Sequence, residues 1–131
     1  MNKEEMKIGD SASVSKTLTE TDVYNFANIC GDFNPLHVDE KEAEKSRFGK
    51  RICHGMLVSS FISTVLGMYL PGPGSVYLEQ TLRFLLPVYI GDKITANVVV
   101  KEIKNKIVKL ETVVVNQNGE VVINGSASIM I

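Results

Sequence analysis

Cysteine is scarce in this chain: Cys30 and Cys53 are the only two. The charged start Met1-Asn2-Lys3-Glu4-Glu5 has no apolar leader, so the two read as reduced thiols of a cytoplasmic protein rather than as a disulfide. Net charge is nearly absent as well. Lys+Arg 14 against Asp+Glu 15 leave −1, with no long basic run, which argues against nucleic acid as a partner. The longest apolar stretch, about Met56 to Leu70, is interrupted by Ser59, Ser60, Ser63 and Thr64. It is too short and too polar to span a bilayer. Neither a Gly-x-Ser-x-Gly elbow nor a phosphate-binding loop occurs, so a serine hydrolase and a P-loop nucleotide enzyme have no foothold. Without repeats, linkers or low-complexity segments, the 131 residues read as one domain over 1–131, large enough for a hydrophobic core.

What is present is a concentration of chemistry in two short segments. Gly31-Asp32-Phe33-Asn34-Pro35-Leu36-His37 holds a carboxylate and an imidazole five residues apart, and His54-Gly55-Met56 opens an apolar stretch. Asn34 precedes proline and is pushed out of the helical region, so Asp32 and His37 do not share one continuous helix face. The segment turns, and a turn aims both side chains at one small volume, as proton transfer to a substrate or a water requires.

The elements around this segment are legible. Residues about 8–17 suit an edge strand. Thr19 and Asp22 resemble a helix capping pair, Val23, Phe26, Ala27 and Cys30 follow at helical spacing, and Gly31 is a natural terminator. The charged stretch Asp39 to Lys50 reads as a short surface helix and a loop. Cys53 to Leu70 reads as a helix with almost no polar face, hence buried on most sides, stopped by Pro71-Gly72-Pro73-Gly74. Beyond it the chain looks like strands. Val76, Leu78, Leu82 and Phe84 alternate with polar residues at a period of two, and Pro87 marks the end of that run. Gly91-Asp92, Lys104-Asn105-Lys106 and Asn118-Gly119 are turns between the later strands, the last a strong hairpin signal. A meander of about four long strands behind one buried helix is an α+β architecture, and that combination is the hotdog fold, an antiparallel sheet wrapped around a long central helix.

The run Phe26-Ala27-Asn28-Ile29-Cys30-Gly31-Asp32-Phe33-Asn34-Pro35-Leu36-His37-Val38-Asp39 resembles the signature of the (R)-specific enoyl-CoA hydratases, the MaoC-like dehydratases. The likeness continues through His54-Gly55-Met56, Leu70-Pro71-Gly72, and Gly91-Asp92 after Leu86-Pro87-Val88. It implies a hydro-lyase that reversibly hydrates a trans-2-enoyl-CoA to the (R)-3-hydroxyacyl-CoA, with an acyl-CoA thioester as substrate and neither metal nor redox cofactor. Coenzyme A is part of the substrate. It further implies Asp32 and His37 as the catalytic pair acting through one water, the Gly55 N–H as the oxyanion contact to the thioester carbonyl, and Ser63 beside the pair. A homodimer with a continuous sheet, or a dimer of dimers, follows from the same likeness.

Hydration needs a base for the attacking water, a proton for C2 and a holder for the thioester oxygen. The preferred division of labour has Asp32, its pKa raised by burial, taking the water proton, and a protonated His37 supplying C2, with the reverse assignment left open by the sequence. Asn34 supports the turn by hydrogen bonding, while Leu66 and Leu70 continue from Ser63 and border an acyl tunnel. Arg47, Lys50 and Arg51 precede the site and are candidates for the coenzyme A phosphates. His54 reads as a structural ring at the helix start, and Cys53 as a buried inert thiol. Two alternatives stay open from sequence: an acyl-CoA thioesterase of the same fold, and a non-catalytic acyl-binding hotdog protein. A dehydratase acting on carrier-protein thioesters ranks lower, because the His-Phe-Pro-Gly type motif of the bacterial carrier-protein dehydratases is missing, though carrier-protein substrates stay open.

Overall fold

The computed structural model describes residues 5–131. Along the chain run β1 (Ser11–Thr17), α1 (Glu20–Cys30), α2 (Pro35–Val38), α3 (Glu40–Lys45) and α4 (Gly55–Met68), then β2 (Val76–Phe84), β3 (Lys93–Lys104), β4 (Ile107–Val115) and β5 (Val121–Met130). The strands form one sheet in the order β1-β3-β4-β5-β2, antiparallel at every pairing. Packed around α4, this is the hotdog fold.

The order corrects the expected meander. Only β3, β4 and β5 follow one another across the sheet. β2 pairs with β5 at the far edge, and β1 takes the other edge beside β3. The two long connections, rather than hairpin turns, decide this. The segment from Leu85 to Asp92 carries the chain from one edge strand across to β3, and it is fixed by Leu85 N–H on Val122 O at 2.8 Å and Cys53 N–H on Val88 O at 2.7 Å.

The core follows from the period of two. Ile94, Ala96, Val98 and Val100 of β3 and Val108, Leu110 and Val114 of β4 point inward, against Leu57, Val58, Ile62, Val65 and Leu66 of α4. Each such Val, Leu or Ile side chain contributes about 1.5–3 kcal/mol by leaving water. Thr112 is the polar exception on that face, fully buried and satisfied by Gln80 Nε2–H at 2.9 Å.

Local signals set the element ends. Thr19 and Asp22 form a reciprocal capping box on α1, and Gly31 closes it in the left-handed region at φ 80°. The central helix begins two residues later than expected and ends two earlier. It is also less enclosed than its composition suggests: Met56, Ser60, Ser63 and Gly67, spaced at one helical face, remain exposed. The apolar alternation of β2 is only partly core-facing: Leu82 packs against the core, while Val76, Leu78 and Phe84 are each about half exposed.

Candidate active site

The site lies where α1 hands the chain to α2, against the first turn of α4. Gly31 reverses the backbone, donating its N–H to Ala27 O at 2.7 Å, and Asp32 follows outside the helix. The Asp32 carboxylate accepts the Asn34 N–H at 3.1 Å, an Asx turn. Asn34 in turn caps α2, its Oδ1 accepting Leu36 N–H at 3.1 Å, with Pro35 at the first helical position, where its missing N–H costs nothing. Asn34 thus supports the turn as expected, and its main chain also holds the Asp32 carboxylate.

This turn swings His37 inward. The ring is buried, and its Nδ1 lies 2.7 Å from Ile52 O. A carbonyl only accepts, so Nδ1 carries the hydrogen and Nε2 keeps its lone pair. The Ile52 carbonyl is itself well placed: Ile52 N–H bonds Leu36 O at 3.1 Å, and Ile52 bridges to Tyr89. Burial, reinforced by the neighbouring His54, holds the His37 pKa below the ordinary imidazole value, with the Ile52 bond and Asp32 pulling the other way. His37 therefore rests neutral at neutral pH. This resting state suits the reverse of the preferred division of labour, an assignment the sequence leaves open. The expected burial of Asp32 is not seen: its side chain sits on an exposed turn.

His54, read from sequence as a structural ring, joins the cluster. Its Nε2–H donates to the main-chain oxygen of Asp32 at 2.9 Å, and its ring stacks on His37 with centroids 3.9 Å apart and planes at 27°. One donor atom from each of Asp32, His37 and His54 falls within 4.8 Å of the other two. The stacking argues against a shared metal. An imidazole binds a metal in its ring plane at about 2.0–2.1 Å, and two nearly parallel planes at this separation do not meet within that reach.

His54 is also the N-cap of α4, and it supplies no side-chain cap to the helix. The first N–H groups of α4, beginning with Gly55, lack intrahelical acceptors and sit at the positive end of the helix dipole. Gly55 has a packing reason as well: a Cβ there would lie 2.7 Å from the Phe84 ring.

Two clefts meet at this point. A largely apolar one of about 550 Å³ runs between Phe48, Leu85 and Leu86, with Arg47 on its wall. A smaller one of about 330 Å³ holds Asp32, Cys30 and His54. His37, Gly55 and Met56 line both. Ser63 and Leu66 line neither. Ser63 lies on the exposed face of α4, eight residues beyond Gly55, and Leu66 is enclosed in the core. Of the three basic candidates only Arg47 reaches a cleft. Arg51 is committed to Glu20 at 2.9 Å and the Tyr24 hydroxyl at 2.9 Å, and Lys50 lies over the Tyr89 ring. The cleft walls Phe84, Leu85 and Leu86 were missed, although three consecutive apolar residues ahead of Pro87 break the strand alternation and mark a change of surroundings.

An antiparallel sheet closed around one helix, with a carboxylate and a neutral imidazole converging on that helix's free N-terminus, defines the class: a hotdog enzyme equipped for proton transfer. The sequence pattern of the MaoC-like domain matches residues 3–122. The (R)-specific enoyl-CoA hydratase of Rhodospirillum rubrum is 47% identical over 98% of this chain and 90% of its own. The mitochondrial 3-hydroxyacyl-[acyl-carrier-protein] dehydratase of Arabidopsis thaliana is 41% identical over 94% of this chain and 76% of its own. The solved (R)-hydratase of Aeromonas caviae involved in PHA biosynthesis superposes with a TM-score of 0.95 at 39% identity, covering 98% of each chain. The chain belongs to the MaoC-like dehydratase family and is a hydro-lyase. No helix among the described residues is long and apolar enough to cross a membrane.

Proposed function

We propose that this protein reversibly hydrates trans-2-enoyl-CoA to (R)-3-hydroxyacyl-CoA, with Asp32 and His37 as the working pair. The observation that carries the reading is their convergence. An exposed carboxylate and a neutral imidazole with a free Nε2 lie within 4.8 Å at the start of α4, in a chain 47% identical to an (R)-specific enoyl-CoA hydratase. The (R) configuration rests on that relative.

The resting tautomer favours one order of events. His37 Nε2 takes a proton from a water held by the Asp32 carboxylate, and the hydroxide forms its bond to C3. The C2–C3 π pair moves toward the thioester, whose oxygen gains charge and is held by the Gly55 N–H. The imidazolium, still bonded through Nδ1–H to Ile52 O, returns its proton to C2. One water is consumed, its hydroxyl at C3 and its hydrogen at C2, and His37 ends neutral. Dehydration is the same path reversed. The carboxylate opposes the proton's departure from the newly formed imidazolium by only a modest amount at an exposed site, so the transfer to C2 stays accessible.

The 550 Å³ cleft suits the apolar body of a thioester, and Arg47 on its wall suits a phosphate of coenzyme A. Ser63, on the open face of α4, reaches an acyl chain only once that face is covered, whereas Leu66 is enclosed in the core. Crotonyl-CoA supplied to the purified protein is expected to lose its enoyl absorbance without releasing free thiol. A stereospecific dehydrogenase should find the (R) product, and Asp32→Asn should lose about a hundredfold or more in rate while remaining folded. Free thiol would mean hydrolysis and would overturn the reading, as would near-normal turnover in Asp32→Asn.

A further inference from the structure

The Nδ1 of His54 is buried and has no hydrogen-bond partner, alone in this respect among the described side chains. Leaving such an atom unpaired costs about 1–3 kcal/mol. A phenylalanine or leucine would fill the space without that cost, so packing does not account for an imidazole here. The other nitrogen and the ring faces do. Nε2–H holds Asp32 O at 2.9 Å, one face lies against His37 at 3.9 Å, and the Phe26 ring abuts at 5.0 Å and 55°. A single rigid ring thereby fixes the main chain that carries one member of the pair and the plane that carries the other. A misplacement of about 1 Å in such a constellation costs about a hundredfold in rate.

We propose that His54 is a positioning residue for the hydration reaction, holding Asp32 through its main chain and His37 through its ring plane. The inference rests on the reading of Asp32 and His37 as the working pair. Its side effect is electrostatic. The groups around His37 in the two clefts are Asp32, Cys30 and His54 on one side and Arg47 and Cys53 on the other, and His54 is one that disfavours a cation on His37. Removing it makes His37 easier to protonate, and a base that protonates more easily is lost at a higher pH.

The test is a set of three variants assayed with crotonyl-CoA across pH. His54→Gln keeps a donor for Asp32, His54→Phe keeps a ring for His37, and His54→Leu keeps neither. His54→Leu is expected to lose about ten- to a hundredfold in kcat with KM within about threefold. The other two should fall between it and the wild type. The acidic limb of kcat/KM should move to higher pH in all three variants. Unchanged kcat and an unmoved limb, whatever happens to Tm, would overturn the positioning role. If His54→Leu does not fold, the Gln and Phe variants carry the comparison, with the His37 ring titrated by NMR in each. Asp32→Asn and His37→Ala run beside them: activity surviving in those two would sink the working pair itself, a separate failure.

Discussion

At the scale of single residues, protonation separates groups that the sequence leaves alike. In the proposed mechanism His37 must be neutral to act through Nε2, and burial lowers its pKa. Activity should therefore be retained below the ordinary imidazole value of about 6.5 and lost as pH falls through the depressed one, which a kcat/KM profile checks. The same shift acts on stability. The unfolded chain binds a proton that native His37 refuses, so this group's contribution is complete above about pH 6.5 and declines as pH falls further. The two cysteines separate by a similar argument. Burial pushes the Cys53 thiol up to about 12, whereas Cys30 is exposed beside the pair. At pH 7.5 iodoacetamide should alkylate Cys30 within minutes and spare Cys53 in the folded protein, as peptide mass spectrometry would show. The residues of the pair were legible because their neighbours are covalent: glycine, asparagine and proline dictate a turn. Which of them is buried was not, because burial is set by Ile52, His54 and Phe26 arriving from elsewhere in the chain.

At the scale of elements, the turns and caps were legible and the sheet order was not. Thr19, Asp22 and Gly31 act on groups three or four residues away, so their meaning is local. The placement of β2 depends instead on Gly125, which no local rule singles out. A Cβ on Gly125 would fall 1.8 Å from the Thr81 carbonyl oxygen of β2, and backbone cannot yield cheaply. Gly125 thus allows β2 to lie against β5, where Leu82 and Gly125 are register partners. Gly125→Ala should destabilise the protein by about 3 kcal/mol or more through overpacking and strand displacement. Hydrogen exchange should locate the loss in β2 while β3 and β4 keep their protection. Uniform loss of protection, or none, would contradict that role. The reach of α4 shows the same limit. Its apolar content announced a core helix, but the stripe Met56, Ser60, Ser63 and Gly67 is open, and only the packed sheet reveals which side lacks a neighbour.

At the scale of the whole molecule, the two sheet edges differ in kind. On β1 the exposed positions are Ser11, Ser13, Ser15 and Thr17, a polar edge with little to offer another chain. On β2 they include Val76, Tyr77 and Leu78, and the strand bulges between Tyr77 and Glu79. An unpaired apolar edge invites another strand. Because only one edge of the sheet invites pairing, two copies meeting edge to edge about a two-fold axis satisfy each other and leave polar edges outside. The assembly then closes instead of growing into a fibre. A homodimer would cover Val76, Tyr77 and Leu78, which stay exposed in the single chain, while Leu82 of the same strand packs on the core. Sedimentation should give twice the 14.4 kDa chain mass, and Leu78→Lys, which puts a charge on the bulged edge, should yield a folded monomer with unchanged far-ultraviolet circular dichroism. If the wild-type chain sediments as a monomer at micromolar concentration, the apolar edge has another use and the dimer reading is wrong. If Leu78→Lys stays dimeric, the contact lies elsewhere, and the open face of α4 is the surface to mutate next.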